Sequence, residues 1–548
     1  MIIQKLKDLL KDRPTVIATA FFSMFFSLAL WLTTKVHFSG NVSGGLDQNY
    51  FTNIVITDVV FLLLSLIITF IAVILIIFLL DLSFVKKCFC MPKQSTSKKI
   101  FVINFVIVFF VWFVFFLTFY PGVGMNDTLW TLIHPLRVSG QHPVMYNAFL
   151  YGCYTIGKKL FHSANAGLAV YSIVQMLIMD MGISFCVAWF HKKGCPKTIT
   201  YLIGISFALL PIVANFSITS IKDPLFSTSI MLFIPMIYEI VHSNGEFLKT
   251  KKGCILFCLL CITMTLLRNN GIYVFLGLSV IMFFMFKNVR KILVLMTCMI
   301  LIITSIPNGI LKTMGVKPML KEAVAIPMQQ IAMVAAEGKL TDLQDEAFVN
   351  NILPSFEEHY APMNVDTIKW HGDFSNQFLE EHKKEFFTLW FKQLVKHPDL
   401  YLKAYFLETY GFWSIGTYCD NQGAFFTIRN IGNNDTLINW VEKENLINKQ
   451  VFPEPMHQSL TTFYKSNCKY FGAGSCFWIS MLVATILIAK KRYKYLLVLA
   501  PCTLVWMTIM ISVPIAFAFR YAFMYVLCLP FIIFLPFIDD GMKQKSEC

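Results

Sequence analysis

The chain has 548 residues, of which 56% are hydrophobic and only 14% are charged, and its mean hydropathy is +0.63. A soluble protein carries about a quarter charged residues, so this composition excludes a soluble globular protein and predicts several membrane-spanning helices. The formal net charge is +14, but most Lys and Arg residues lie between the apolar segments, which argues against binding to nucleic acid. Many of the 15 cysteines lie within apolar segments, so we predict no disulfide framework.

Twelve apolar segments are long enough to cross a bilayer. These predicted spans are residues 15–35, 55–82, 100–120, 166–190, 197–216, 222–242, 253–268, 271–287, 290–308, 471–489, 494–513 and 518–538. Basic residues before the first span (Lys5, Lys7), before the third span (Lys86, Lys87, Lys93) and at the end of the chain (Lys543, Lys545) predict the orientation. Because basic loops stay in the cytoplasm, both termini are predicted to be cytoplasmic in a multi-pass protein of the plasma membrane.

Residues 143–161 are also apolar enough to span the membrane, but counting them as a span would invert every later basic loop. The segment contains several tyrosines and ends in Lys158-Lys159-Leu-Phe-His162, which favours an interfacial helix on the outer membrane surface. With this assignment every basic loop is cytoplasmic.

The chain is predicted to divide into four parts: residues 1–99 with two spans and a basic cytoplasmic loop, 100–308 with the transmembrane core and a first outer loop at 120–165, an extracytoplasmic insertion at 309–470, and 471–548 with the last spans. The insertion is rich in Glu, Asp, Lys, Asn and Trp, and apolar residues in its segment 380–394 recur at helical spacing. At roughly 160 residues it is long enough for a small, mostly helical domain. The predicted fold class is therefore an all-α polytopic membrane protein with an interfacial helix and a helical insertion.

The third span is followed by the sequence Tyr120-Pro-Gly-Val-Gly-Met-Asn-Asp127-Thr, and His142-Pro143 comes fifteen residues after Asp127. The proline and the glycines predict a tight turn that holds the Asp127 carboxylate where a helix leaves the lipid. An alternative is that Asn126-Asp127-Thr128 only caps a helix, since these residue types are good N-caps.

Three more polar groups fall on the same predicted outer face: Lys222-Asp223-Pro224 at the start of a span, Arg268-Asn269-Asn270 in a hairpin, and Arg520-Tyr521 at the start of the last span. Charges at the membrane edge are functional candidates because their burial is costly. Each also has a structural interpretation, such as a local ion pair or an interfacial anchor. Together, the three cations suit a phosphate ligand, and a carboxylate suits a general base that activates a hydroxyl.

The Pro-Gly-x-x-x-x-Asp sequence after a span, followed by His-Pro and a surface helix, resembles the GT-C superfamily of membrane glycosyltransferases. The most similar branch is the protein mannosyltransferase and aminoarabinose transferase type (family 39-like). More narrowly, the chain resembles Gram-positive bacterial homologues that have Lys-Asp-Pro, Ile-Pro-x-Gln-Gln-Ile-Ala and a late Arg-Tyr. The corresponding residues here are Lys222 to Pro224, Ile326 to Ala332 and Arg520-Tyr521.

This resemblance implies a GT-C-like bundle that transfers a sugar from a polyprenyl-phosphate donor to a cell-envelope glycan or lipid, outside the membrane. Asp127 would be the base, and Lys222, Arg268 and Arg520 would bind the donor phosphate. The substrate-orienting residues would be His142, Asp223, Gln329, Gln330 and Tyr521. No cofactor is required, although Asp127 together with Asp223 would suit a divalent metal.

The chain departs from the mannosyltransferase type in having two additional N-terminal spans, a single His-Pro and a single Asp in place of an Asp-Glu pair. Two other functions remain open. One is a flippase or transporter of lipid-linked saccharides, although we find no internal repeat of the kind that transporters often contain. The other is a polysaccharide polymerase, which would use a larger lipid-linked donor.

Overall fold

The computed structural model describes residues 2–36, 51–82, 97–135, 142–316, 319–416, 434–466, 472–513 and 515–538. The basic residues Lys86, Lys87, Lys93, Lys543 and Lys545, which help to predict the orientation, lie outside these residues.

Over the described ranges the chain is helical, and its β pairing is limited to three isolated bridges. The α-helices are α1 (Ile2–Lys11), α2 (Arg13–Lys35), α3 (Ile56–Leu80), α4 (Lys98–Thr118), α5 (Asn126–Ile133), α6 (Val144–Phe161), α7 (Ala164–Lys192), α8 (Lys197–Leu209), α9 (Pro211–Ile218), α10 (Lys222–His242), α11 (Lys251–Leu267), α12 (Gly271–Met285), α13 (Arg290–Thr313), α14 (Ala325–Ala336), α15 (Leu343–Ile352), α16 (Asp366–Lys369), α17 (Asn376–Glu381), α18 (Lys383–Lys396), α19 (Pro398–Glu408), α20 (Tyr410–Trp413), α21 (Asp435–Lys443), α22 (Glu454–Ser466), α23 (Ala473–Ala489), α24 (Ala500–Ser512) and α25 (Phe523–Phe534).

Seven helical segments in the described ranges are long and apolar enough to cross a membrane. They are α2, α3, α4, α7, α10, the segment Lys287–Thr313 that contains α13, and the segment Phe519–Phe537 that contains α25. The prediction of an all-helical, multi-pass membrane protein is therefore confirmed. Each of the other predicted spans also contains a helix, but α11, α12, α23 and α24 are only 13 to 17 residues long, so the number twelve stays a prediction.

The predicted span 197–216 is a broken helix. Helices α8 and α9 meet at an angle of 58°. Leu210 between them has an extended backbone with ψ of 110°. Pro211 follows it, and a proline both removes a backbone donor and disfavours helical geometry in the preceding residue. If counted as one span, this bent pair raises the number of candidate spans to eight.

Helix α10 lies at the centre of the bundle. In its most apolar stretch of 18 residues, 83% of the residues are buried, whereas the corresponding share in the peripheral α3 is 17%. Helices α7, α11 and α25 pack against α10, and α4 packs against α7 in the same apolar core. Helix α6, the predicted interfacial helix, is not among the candidate spans. After the left-handed turn at His162, where φ is 51°, helix α7 runs back along α6. The position of α6 on the membrane surface stays a prediction.

Helices α14 to α20 of the insertion have an apolar core of their own, which also includes Ala29 and Val36 at the end of α2. The insertion is joined to the membrane helices by backbone hydrogen bonds. Ala516 N donates to Met363 O at 2.9 Å, and Gly411 N donates to Ala516 O at 3.1 Å. The insertion therefore contacts the segment that leads directly to Arg520.

Candidate functional site

The turn after α4 is paired with the segment before α10, and this pairing positions Asp127. Val123 N donates to Ile218 O at 3.0 Å, and Ser220 N donates to Val123 O at 2.9 Å. Gly122 has φ of +121°, and a Cβ at this position would lie 2.2 Å from Ser172 Oγ. Glycine is therefore required here both by the backbone conformation and by the close approach of α7.

The buried side chain of Gln175 stabilises the end of α9 and the segment between α9 and α10. The Gln175 side-chain amide donates to the carbonyl oxygens of Phe216 and Ser217, both at 3.0 Å, and of Thr219 at 2.8 Å. Without Gln175 these interior carbonyls would lose a donor, and an unpaired buried carbonyl costs roughly 1–3 kcal/mol. Gln175 thus keeps in place the segment that leads to Lys222.

Helix α5 begins at Asn126, and Asp127 does not cap it. The Met125 backbone N–H donates to Thr128 Oγ1 at 3.1 Å, and the same hydroxyl donates to Ser220 O at 2.5 Å. Thr128 therefore does the capping that the sequence could have assigned to Asp127. The carboxylate of Asp127 faces Arg520 instead, whose Nη1 donates to Asp127 Oδ2 at 3.2 Å.

His142 lies between Lys222 and Asp127. Its Nδ1 contacts Lys222 Nζ, and its Nε2 lies 3.9 Å from Asp127 Oδ1. Burial and the adjacent Lys222 ammonium lower the pKa of His142 to about 3. The imidazole is therefore neutral at physiological pH, and since Nδ1 accepts from Lys222, Nε2 carries the proton and faces Asp127.

Arg268 follows α11 and pairs with Asp223, whose Oδ1 lies 2.5 Å from Arg268 Nη1. Asp223 is 1% exposed and does not line the cavity described below. The Arg268 guanidinium also stacks over the Tyr521 ring at 4.7 Å, and Arg520 donates to the Tyr521 hydroxyl at 3.2 Å. Asp223 and Tyr521 thus hold both guanidinium groups in place.

The cations determine the ionisation of Asp127. Burial alone would raise the pKa of this carboxyl, but the Arg520 guanidinium and the neighbouring cationic groups outweigh that effect. They hold the pKa of Asp127 well below its usual value. Asp127 is therefore a carboxylate at every physiological pH.

These groups surround one cavity of about 780 Å³, which is within the usual size range of ligand pockets. Of the residues predicted from the sequence, it is lined by Asp127, His142, Lys222, Arg268, Arg520 and Tyr521. The four polar groups of the predicted outer face therefore do meet, although they come from distant parts of the chain.

The insertion supplies a second wall that sequence reasoning missed, formed by Glu322, Asp366 and Trp370. The ammonium group of Lys369, which is 1% exposed, lies 3.2 Å from carboxylate oxygens of both Glu322 and Asp366. Burial raises the pKa of Asp366 despite this pairing. The only signal in the sequence is the density of acidic and Trp residues in the insertion, which does not single out these positions.

Gln329 and Gln330, predicted as substrate-orienting residues, do not line the cavity. Both are buried in the insertion, where Gln329 donates to Ala361 O at 2.5 Å and Gln330 donates to Tyr401 O at 3.2 Å. The Ile-Pro-x-Gln-Gln sequence forms part of α14, and Gln329 supports the loop before Asp366.

The predicted metal pairing of Asp127 with Asp223 does not fit this arrangement, because each carboxylate already faces a guanidinium. In the described ranges, no group of three or more His, Cys, Asp or Glu side chains lies in a position to hold a metal ion. The cavity wall around Asp127 is cationic, which favours an anionic ligand.

The fold and the site define a helical multi-pass membrane protein with a charged cavity between its membrane helices and a helical insertion. A family model described as a family of unknown function (DUF6020) matches residues 129–547, and the chain belongs to this family. No curated protein and no solved structure matches it.

We predict that Gly122→Ala destabilises the protein by about 1–3 kcal/mol, because Ala must adopt a left-handed conformation and displace Ser172. The thermal midpoint of the detergent-purified protein measures this loss. Gly152→Ala is the matched control, since Gly152 lies in α6 and a Cβ at this position would have no other atom within 4 Å. Equal midpoints for the two variants would contradict the proposed requirement for glycine in the turn.

His142 predicts a pH dependence of stability. Because its pKa is lowered from 6.5 to about 3 in the folded state, the unfolded chain binds a proton first as the pH falls. The stability contributed by the neutral imidazole is complete above about pH 6.5 and is lost as the pH falls toward 3. Thermal midpoints measured across this range should fall less steeply for His142→Asn than for wild type. His162→Asn, at an exposed position, should retain the wild-type slope.

Proposed function

We propose that this protein is a membrane glycosyltransferase of GT-C type. It would transfer a sugar from a polyprenyl-phosphate donor to a cell-envelope glycan or lipid on the extracytoplasmic face of the bacterial plasma membrane. The observation that supports this proposal is the convergence of Lys222, Arg268 and Arg520 with the Asp127 carboxylate around one cavity at the ends of membrane helices.

The three cations suit the phosphate of the donor. Two guanidinium groups offer paired N–H donors to phosphate oxygens, and the Lys222 ammonium adds a point charge. Their charge would be most useful when the bond between the sugar and phosphate breaks, because the leaving phosphate gains negative charge. Tyr521 and Asp223 orient the guanidinium groups without occupying the cavity centre.

Asp127 is the proposed base. It would accept the proton of the acceptor hydroxyl while the hydroxyl oxygen bonds to the anomeric carbon. The bond from that carbon to the phosphate oxygen breaks, and its electron pair leaves with polyprenyl phosphate. Since the new bond forms opposite the leaving group, the configuration at the anomeric carbon is inverted.

The low pKa of Asp127 makes it a weak base while it faces Arg520, since a general base works best with a pKa near the working pH. A donor phosphate would compete with Asp127 for the Arg520 guanidinium. Binding of the donor would therefore raise the proton affinity of Asp127, so we expect donor binding to precede activation of the acceptor. The neutral His142, through its Nε2 proton, would keep the freed carboxylate oriented.

A second cavity of about 1040 Å³ adjoins the site and shares Pro143 and Asn269 with it. It lies between α6, α12 and α13, and Leu301 and Leu311 contribute apolar surface. This partly apolar cavity beside the site supports entry of a donor whose phosphate must reach the cations while its chain remains in the membrane.

The twelve-span topology with both termini in the cytoplasm belongs to the same proposal. It is supported by the presence of a helix in each of the twelve predicted segments. In this topology the ends of α4 and α11 and the start of α10 face outward together, as their convergence on one cavity requires.

The test uses the purified full chain with a panel of polyprenyl-phosphate sugars and measures release of polyprenyl phosphate. Asp127→Asn should reduce the rate about 100-fold or more, since removal of a general base typically costs that much. Asp373→Asn is the matched control, because its side chain is 74% exposed and lies outside the cavity lining.

Donor consumption that is unchanged in Asp127→Asn would overturn the assignment of the base. Translocation of a lipid-linked saccharide across vesicles without sugar release would overturn the transferase itself and favour a flippase. A product that grows by repeated addition of a large oligosaccharide would instead favour a polymerase.

A further inference from the structure

A second long groove shares no lining residue with the charged cavity, although it ends near that cavity at Leu225 and Leu267. It has a volume of about 1150 Å³ and runs between α4 and α11, with α7 and α10 as its floor. Its wall is mainly apolar and includes Phe101, Phe185, Leu232 and Leu259. The groove is therefore a surface that a hydrocarbon chain would cover.

The groove is long enough for an acyl chain. Its lining residues on α10 extend from Leu225 to Glu239, which corresponds to about 21 Å along a helix. One leaflet contributes only about 15 Å to the hydrocarbon core of a bilayer. A lipid whose headgroup lies at one end of the groove can thus keep a whole chain within it.

Three lysines frame one end of the groove. Lys98 begins α4, Lys192 ends α7 and Lys252 lies in the first turn of α11, and all three are exposed at the groove lining. Within the part of the chain that the structure describes, none of the three has an acidic partner within ion-pair distance. Their charges are therefore available to a ligand.

Lys193, which follows Lys192 in the chain, differs from these three lysines because it has an acidic partner. Lys193 Nζ lies 2.7 Å from Glu239 Oε1 and 4.9 Å from the centre of the Tyr238 ring. Glu239 also accepts a hydrogen bond from Trp189 Nε1 at 2.9 Å. Among the described residues that line the groove, Glu239 is the only acidic one, and it is already paired, so the groove end keeps the charge of Lys98, Lys192 and Lys252.

We propose that this groove is a binding site for an anionic phospholipid, with an acyl chain along α10 and the phosphate on the three lysines. Basic pockets between membrane helices suit anionic headgroups, and charge complementarity selects such a lipid over a zwitterionic one. The site does not depend on glycosyl transfer. It depends on the predicted orientation only for the leaflet, which would be cytoplasmic because these lysines lie in the basic loops.

The test measures lipid binding to the purified full chain by native mass spectrometry, with phosphatidylglycerol and phosphatidylcholine of identical acyl chains. Wild type should bind phosphatidylglycerol at least about tenfold more tightly, since each nearby lysine contributes roughly 1 kcal/mol toward an anionic lipid. The triple variant Lys98→Gln, Lys192→Gln, Lys252→Gln should lose this preference.

The matched control is Lys197→Gln, Lys287→Gln, Lys291→Gln. These lysines are exposed and also flank membrane helices on the predicted cytoplasmic side, but none lines the groove. The control removes the same charge and should keep the preference. Equal loss in both triple variants would mean that the lipid only follows surface charge, which would overturn the site.

A second variant tests the groove itself. Leu232→Trp replaces a lining side chain with a larger, aromatic one and leaves all three lysines unchanged. It should weaken binding of phosphatidylglycerol at least tenfold, and it serves even if the triple lysine variant does not fold. Undiminished binding in Leu232→Trp, or equal binding of the two lipids by wild type, would contradict the proposal.

Discussion

Two backbone hydrogen bonds between Val123 and the segment Ile218–Ser220 determine the geometry on which the charged cavity depends. They join the turn that carries Asp127 to the start of the helix that carries Lys222. The end of α9 at Ile218 makes them possible, because the last carbonyl groups of a helix have no partner within that helix. Gln175 satisfies the carbonyl groups of Phe216, Ser217 and Thr219, so one buried amide compensates for the end of the helix. In a membrane interior, where water is not available to do this, such compensation is obligatory.

The charged groups next to these hydrogen bonds compensate one another. Asp127 and Asp223 each face a guanidinium, and Lys222 faces a neutral imidazole. Three cations this close would repel one another if the two carboxylates were absent. An anionic ligand, such as the phosphate of the proposed donor, would replace part of this compensation. Because the carboxylates and the cations compensate one another, the sequence features that suggest a base occur together with those that suggest an anion site in the proposed transferase.

The sequence was most informative where a physical rule leaves few options. Long apolar segments predict membrane helices, and the charges at the predicted outer ends of these segments predicted Asp127, Lys222, Arg268 and Arg520 as a group. It was less informative inside the insertion. There Gln329 and Gln330 form part of a motif, yet they satisfy buried carbonyls, while Asp366 and Trp370 line the cavity without any distinguishing pattern. In a polar segment many acidic residues are exposed, and only the tertiary fold determines which of them face a site.

The helix cap was also ambiguous, because Asp127 and Thr128 are both suitable and only the contact with Ser220 O selects Thr128.

The ion pair between Asp127 and Arg520 joins residues that are 393 positions apart in the chain. A ribosome must therefore release Arg520 and every residue before it into the membrane before this contact can form. Until then Asp127 in α5 has no guanidinium partner from the segment Phe519–Phe537, and the cavity lacks one of its walls. A nascent or C-terminally truncated chain would thus contain most of the membrane helices and still have an open, incomplete site. Biosynthesis itself delays the assembly of the charged cavity until the segment Phe519–Phe537 is inserted.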